Sequence, residues 1–147
     1  MPQVRESIEI SAPAESVWEI VMDPARFDEW VTAHERVKNA PKNVEEGDSF
    51  EQVLCLGGRP IDVEWTLVES DPPNCAEWDA DGPRDSGAKV RYLIEADGGA
   101  SSFVYENDFD LPGGLLGGVA GRFAGAPAKR AVRKSLKRLK ALAESEA

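Results

Sequence analysis

The 147-residue sequence predicts an α+β fold in which a curved antiparallel sheet of about six or seven strands wraps around a long C-terminal helix. Three observations lead there. Five runs between residues 49 and 111 alternate apolar and polar side chains and are parted by turn residues. Ahead of them stand one further strand pattern and two short helical stretches. Behind them the chain ends on a run with apolar residues at helical spacing and cations on its other faces. A sheet with one dry face needs a cover, and the tail is the large candidate for it.

Each element has its own warrant. In Gln3–Ile10, Val4, Ile8 and Ile10 alternate with polar residues, the pattern of a half-buried strand. Val17, Trp18, Val21 and Met22 fall at helical spacing, with Pro13 suited to a helix start and Asp23-Pro24 to an end. A second short helix is expected over Pro24–Trp30, and a loop or weak strand over His34–Pro41. The meander follows as Ser49–Leu56, Ile61–Ser70, Ala76–Ala80, Ala88–Ala96 and Ser101–Leu111. Its breaks, Gly57-Gly58, Asp71-Pro72-Pro73-Asn74, Asp81-Gly82-Pro83 and Asp97-Gly98-Gly99, have the composition of tight turns. Ile61, Val63, Trp65 and Leu67 share one face, and Asp62, Glu64 and Thr66 the other. The same alternation turns Trp78, Val90, Tyr92, Ile94, Phe103, Tyr105, Asn107 and Phe109 inward. Helix is expected from Val119 to about Ala143, with Val132, Leu136, Leu139 and Ala143 as its apolar stripe and Pro127 as a kink or restart.

Bulk properties narrow the function classes. The length suits a single domain over 1–147 with its own core. Arg5, Glu6 and Glu9 interrupt the N-terminal apolar residues, unlike a secretory signal, and no stretch approaches a membrane span. A cytoplasmic location without integral membrane association is therefore expected. Cys55 and Cys75 have no metal-ligand spacing and read as small core or strand residues, and no metal or cofactor is expected. Net charge is −10, with 25 acidic and 9 basic residues in 1–121 against 2 and 8 in 122–147. That division predicts a basic helix docked on an acidic body, and the body's charge argues against nucleic-acid binding.

The order of elements, with three local signatures, resembles the helix-grip fold of the StAR-related lipid-transfer and birch-pollen-allergen-like superfamily. The signatures are Ile8-Glu9-Ile10-Ser11-Ala12-Pro13-Ala14-Glu15-Ser16-Val17-Trp18, then Asp23-Pro24-Ala25-Arg26-Phe27-Asp28-Glu29-Trp30, then Asp110-Leu111-Pro112-Gly113-Gly114 leading into Leu136-Lys137-Arg138-Leu139-Lys140. Within it the chain looks most like the polyketide cyclase/dehydrase-like branch of small bacterial proteins. The resemblance spans nearly the whole chain and implies the fold; because the superfamily holds carriers, receptors, cyclases and oxygenase domains, it leaves the activity open. Some relatives are toxins of toxin–antitoxin pairs, which gives a minor alternative.

Few ionisable residues fall on the inward faces. The one histidine, His34, and Tyr105 are the weak candidates for catalysis, with Asp28 and Glu29 near His34 in sequence but also suited to capping and surface charge. No nucleophile elbow, P-loop, zinc-protease or dinucleotide motif is present. Aromatic residues dominate the inner face, where they fill an ordinary core or line a cavity. The cavity reading assigns ligand contacts to Trp18, Trp30, Phe50, Gln52, Trp65, Trp78, Tyr92, Tyr105, Asn107 and Phe109. Leu116, Val119 and Phe123 join them from a glycine-rich segment with the composition of a lid.

The expected partner is a small hydrophobic molecule, such as a lipid, isoprenoid or polyketide-like aromatic, held by a monomer or homodimer. The alternative is a cyclase or dehydratase using His34 or Tyr105 as the proton-handling group. A protein-interaction module, the third reading, predicts a filled core.

Overall fold

The computed structural model describes residues 3–41, 44–56, 58–82, 86–110 and 126–146. Its sheet has seven strands, all neighbours antiparallel, in the order β1-β7-β6-β5-β4-β3-β2. These are β1 (Gln3–Ile10), β2 (His34–Lys38), β3 (Ser49–Leu56), β4 (Arg59–Asp71), β5 (Cys75–Asp81), β6 (Gly87–Asp97) and β7 (Ala100–Asp110). Between β1 and β2 lie α1 (Ala14–Val21), a 3-10 turn over Pro24–Arg26, and α2 (Phe27–Trp30); the chain closes on α3 (Ala126–Glu146). This is the expected helix-grip arrangement. Strands two to seven follow as a meander, and β1 crosses back to pair with β7, Gln3 opposite Asp108 and Ile10 opposite Ser101.

Local chemistry accounts for the elements. On α1 the spacing buries Ala14, Val17, Ile20 and Val21 together. The Asp23 carboxylate accepts from the Ala25 backbone N–H at 3.0 Å and starts the 3-10 turn, with Pro24 next to it. Gly98 turns β6 into β7 at φ +65°, a conformation that favours glycine. The β4–β5 register shifts between Leu67 and Glu69, so Val68 is bulged outward and exposed. A bulge adds twist, which a sheet needs in order to curl around a helix.

Some expectations need correction. The stretch read as a loop or weak strand contains β2, the edge strand. The second helix is a 3-10 turn followed by one α turn. Helix α3, as described, begins at Ala126, so Pro127 sits in its first turn, where a missing N–H has no helical bond to break. Of the two readings of the cysteines, strand holds and core does not: Cys55 is exposed on β3 and Cys75 half-buried on β5, and both are free thiols. Among the described residues no helix is long and apolar enough to cross a membrane.

Helix α3 lies against β1 and α2. Leu136, Leu139 and Ala143 of its stripe are buried, and Leu139 and Ala143 are fully so. They meet Ile10, Val17, Ile20, Ile94 and Phe103 in one apolar cluster. Polar contacts fix the helix from outside. Arg133 pairs with Glu6, Lys140 donates to the Glu9 carbonyl at 3.1 Å, Glu144 accepts from the Ser11 N–H at 2.8 Å, and Glu146 pairs with Arg26. The docking of a basic helix on an acidic body is thus partly direct, with the pairs to Ser11 and Arg26 running in the opposite sense. Because Leu139 is fully buried, Leu139→Ala is expected to cost about 2–5 kcal/mol, read as a lower urea midpoint at unchanged slope.

Candidate functional site

The inner face of the sheet carries a continuous belt of rings. From the packed end, Phe103 meets Tyr92 at 5.4 Å between centroids and Trp30 at 6.4 Å, and Tyr92 meets Trp78 at 6.1 Å. Trp78 in turn meets Phe50 at 5.8 Å and Trp65 at 6.3 Å, both nearly perpendicular. Edge-to-face contacts of this kind favour the ring quadrupoles and hold each ring by its neighbours.

Beyond the belt the inward side chains become small. Val63 on β4, Ala80 on β5, Ala88 and Val90 on β6, and Ala131, Val132 and Ser135 on α3 cannot reach across the gap. They enclose, with the belt as its floor, a cavity of about 490 Å³. Sheet and helix stay apart because the belt and the packed cluster set their spacing, and interiors otherwise fill to crystal-like density. The backbone register places the cavity at the end of the sheet formed by the β3–β4 hairpin, the β5–β6 connection and the close of β7. At that rim Gly82 packs closely on Ser86: a Cβ there would come within 2.5 Å of Ser86 Oγ, so that hydroxyl would have to rotate away.

The wall's polar groups are few and mostly neutral. Trp65 Nε1 can only donate, and it donates to Gln52 Oε1 at 2.8 Å. That turns the Gln52 amide nitrogen toward His34 Nδ1, 2.9 Å away. His34 Nδ1 therefore accepts, and the ring proton sits on Nε2. Thr32, in the turn after α2, and Ser135 on α3 are joined through a hydroxyl pair at 3.1 Å and a Thr32 N–H to Ser135 Oγ bond at 3.0 Å. Asn107 Nδ2 donates to Tyr105 Oη at 3.1 Å. The indole N–H groups of Trp30 and Trp78, and Asn107 Oδ1, are buried with no hydrogen-bond partner among the described residues.

Burial pushes the Tyr105 phenol up to about 12 and raises Tyr92 further, so both stay protonated across the physiological range. His34 is lowered from its ordinary 6.5 by burial, against a smaller opposing effect of the Asp28 charge. Arg59 is the one charged side chain among the described wall residues.

Of the residues singled out from the sequence, Trp30, Phe50, Gln52, Trp65, Trp78, Tyr92, Tyr105 and Asn107 come together on the cavity wall. Trp18 does not: it is half-buried on α1 and packs beside the core cluster at the other end. His34 stands behind the wall on β2, against two wall residues: Gln52, to which it is hydrogen-bonded, and Phe27, whose ring it meets edge-on at 6.0 Å. Glu29 is occupied by Arg26 at 2.8 Å, which leaves Asp28 to act on His34 through its field alone. Leu116, Val119, Phe123 and the glycine-rich segment lie outside the described residues, as does the side chain of Phe109. Among the described residues no cluster of three metal-ligating side chains occurs.

Sequence reasoning missed Thr32, Ser135, Arg59 and the small residues that leave the space open. Ser135, one position before Leu136 in the apolar stripe, was a visible signal. The small residues carried none, because alternation shows which way a side chain faces and not what stands opposite.

The polyketide cyclase / dehydrase and lipid transport family matches residues 1–144 of the chain. Toxin Rv0910 of Mycobacterium tuberculosis (strain ATCC 25618 / H37Rv) is 28% identical over 137 residues, covering 92% of this chain and 94% of its own. Among solved structures, a conserved protein from Geobacillus kaustophilus superposes with TM-score 0.77 at 16% identity, over 99% of this chain and 97% of the other. The protein TTHA0849 from Thermus thermophilus does so with TM-score 0.76 at 18% identity, over 99% of both chains. At these identities the structures speak for the fold.

The Trp65–Gln52–His34 chain has a pH consequence. Protonating His34 puts a proton on Nδ1 facing the Gln52 N–H, and a depressed native pKa means the unfolded state binds the proton first. The pair's contribution is then full above about pH 6.5 and declines as pH falls below it. Urea midpoints followed from about pH 7.5 to 5.5 are expected to fall more steeply in the wild type than in His34→Asn. A His34 that titrates at or above 6.5 by NMR would contradict this.

Proposed function

The chain belongs to the polyketide cyclase / dehydrase and lipid transport family, and from that membership we propose that it binds and carries a small hydrophobic molecule in the cavity under α3, the whole chain acting as one binding domain. The observation that supports this reading is the cavity itself, about 490 Å³ with a largely apolar, aromatic-floored wall. That is the size and lining of sites that bury a single compact ligand. A protein-interaction module needs no such space.

Carriage is favoured over cyclisation or dehydration by the groups the wall offers. Proton transfer at neutral pH calls for a group whose pKa lies near 7 and which reaches the substrate. Tyr92 and Tyr105 are held protonated, and His34 stands outside the wall with its Nδ1 taken by Gln52. What remains suits orientation: Tyr105 Oη, Thr32 and Ser135, and the second amide proton of Gln52, can each hydrogen-bond a ligand hydroxyl or carbonyl. Lipids, isoprenoids and polyketide-like aromatics all fit this description.

The toxin name of the mycobacterial relative favours a second reading, in which expression of this chain arrests growth. Arrest by the wild type and equally by a variant whose cavity is filled would support it, independently of ligand carriage.

Ala80→Phe provides that variant, since Ala80 is buried and faces the cavity from β5. A thermal-shift panel of apolar lipids, isoprenoid alcohols and polycyclic phenols tests the reading. A true ligand at a hundred times its Kd stabilises by about 2.7 kcal/mol, about 5–10 °C in Tm for a chain of this size. The wild type is expected to shift with at least one class and Ala80→Phe with none. A flat wild-type panel, or equal shifts in both proteins, would count against the reading.

A further inference from the structure

Only one described residue brings charge to the cavity wall. Arg59 opens β4 at the tip of the β3–β4 hairpin, opposite Leu56 in register, and together with Pro60 and Ile61 forms the part of the wall nearest solvent. Like Arg36, Lys38 and Lys89 it makes no ion pair among the described residues, and unlike them it lies on the cavity wall. Deeper in, every polar group of the described wall is an amide, hydroxyl, phenol or indole.

From this layout we infer that the cargo is an apolar carboxylic acid, seated with its hydrocarbon or ring body on the aromatic floor and its carboxylate at the mouth against Arg59. The inference rests on the carrier reading and fixes the polarity and orientation of what is carried.

Three arguments carry it. An ionised group without a counter-charge is expensive to bury, so an anion cannot lie among the neutral groups near Tyr92 and Trp78, while at the mouth it keeps part of its hydration. The guanidinium is a planar fork of donors that matches the two oxygens of a carboxylate, and it stays charged at any relevant pH. A single arginine balances a single negative charge, whereas a doubly charged phosphate would be left half-compensated. The chain's net charge of −10 opposes an incoming anion at long range. That field is screened beyond about 8 Å at physiological salt, so the contact at Arg59 decides the matter locally.

Calorimetric titration at pH 8 with matched pairs separates the possibilities: decanoate with decan-1-ol, naphthoate with naphthylmethanol, and decyl phosphate as a further arm. Arg59 is exposed, so Arg59→Gln leaves the core untouched. At least one acid is expected to bind about three- to tenfold more tightly than its alcohol, and Arg59→Gln to remove that preference while changing the alcohol's affinity by less than about twofold. Equal affinity for acid and alcohol, a preference that survives Arg59→Gln, or tighter binding of decyl phosphate than of decanoate would overturn the assignment and leave hydrophobic carriage standing. If neither member of either pair binds although another class shifts the thermal panel, the assignment is overturned; if that panel is flat as well, the carrier reading fails and this inference with it.

Discussion

The belt of edge-to-face rings across the inner face of the sheet is the constraint on which the rest of the structure depends. Phe103, Tyr92, Trp78, Phe50 and Trp65, with Trp30 from α2, touch in sequence from one end of the dry face toward the other. On one side of the belt large aliphatic side chains from α1, α3 and β6 fill the space, and Leu139 and Ala143 are fully buried. On the other side small residues such as Ala80, Ala88, Ala131 and Ser135 face the space, and it stays open. A uniformly bulky inner face would give a filled core, and a uniformly small one would let helix and sheet collapse together. Holding them apart takes a rigid spacer at one end and short side chains at the other.

The same division governs the chemistry. Groups that titrate near neutrality are kept away from the open space, and those that border it are held in one protonation state. Gln52 shows how: its carbonyl is committed to Trp65 and its amide nitrogen to His34, so a buried polar side chain is satisfied by neighbours in the wall. Orientation of a guest then falls to hydroxyls and the second Gln52 amide proton, and among the described residues charge enters the wall only at Arg59.

Most of the fold was legible in the sequence, because alternation is a strong signal where one face is dry. Ile61, Val63, Trp65 and Leu67, and the stripe Val132, Leu136, Leu139 and Ala143, face inward as expected. β2 was harder to read, since in His34-Glu35-Arg36-Val37-Lys38 only His34 and Val37 are half-buried and an edge strand has little to alternate. Trp18 shared a helical period with Val17 and Val21, yet the helix turns it toward the side of the cluster rather than into the space. The partner of His34 lay eighteen residues away across β2 and β3. The cavity was the least legible feature: it depends on Ala80, Ala88 and Ala131 standing opposite one another, and opposition across a sheet and a helix is a property of the fold rather than of any local pattern.

Native mass spectrometry of the protein purified from its own source, followed by organic extraction, tests the central claim that this open space is a ligand site. A stoichiometric apolar passenger, lost when Ala80 is replaced by phenylalanine, is the predicted result. A clean mass for the chain alone, unmoved by any hydrophobic compound added afterwards, would contradict it.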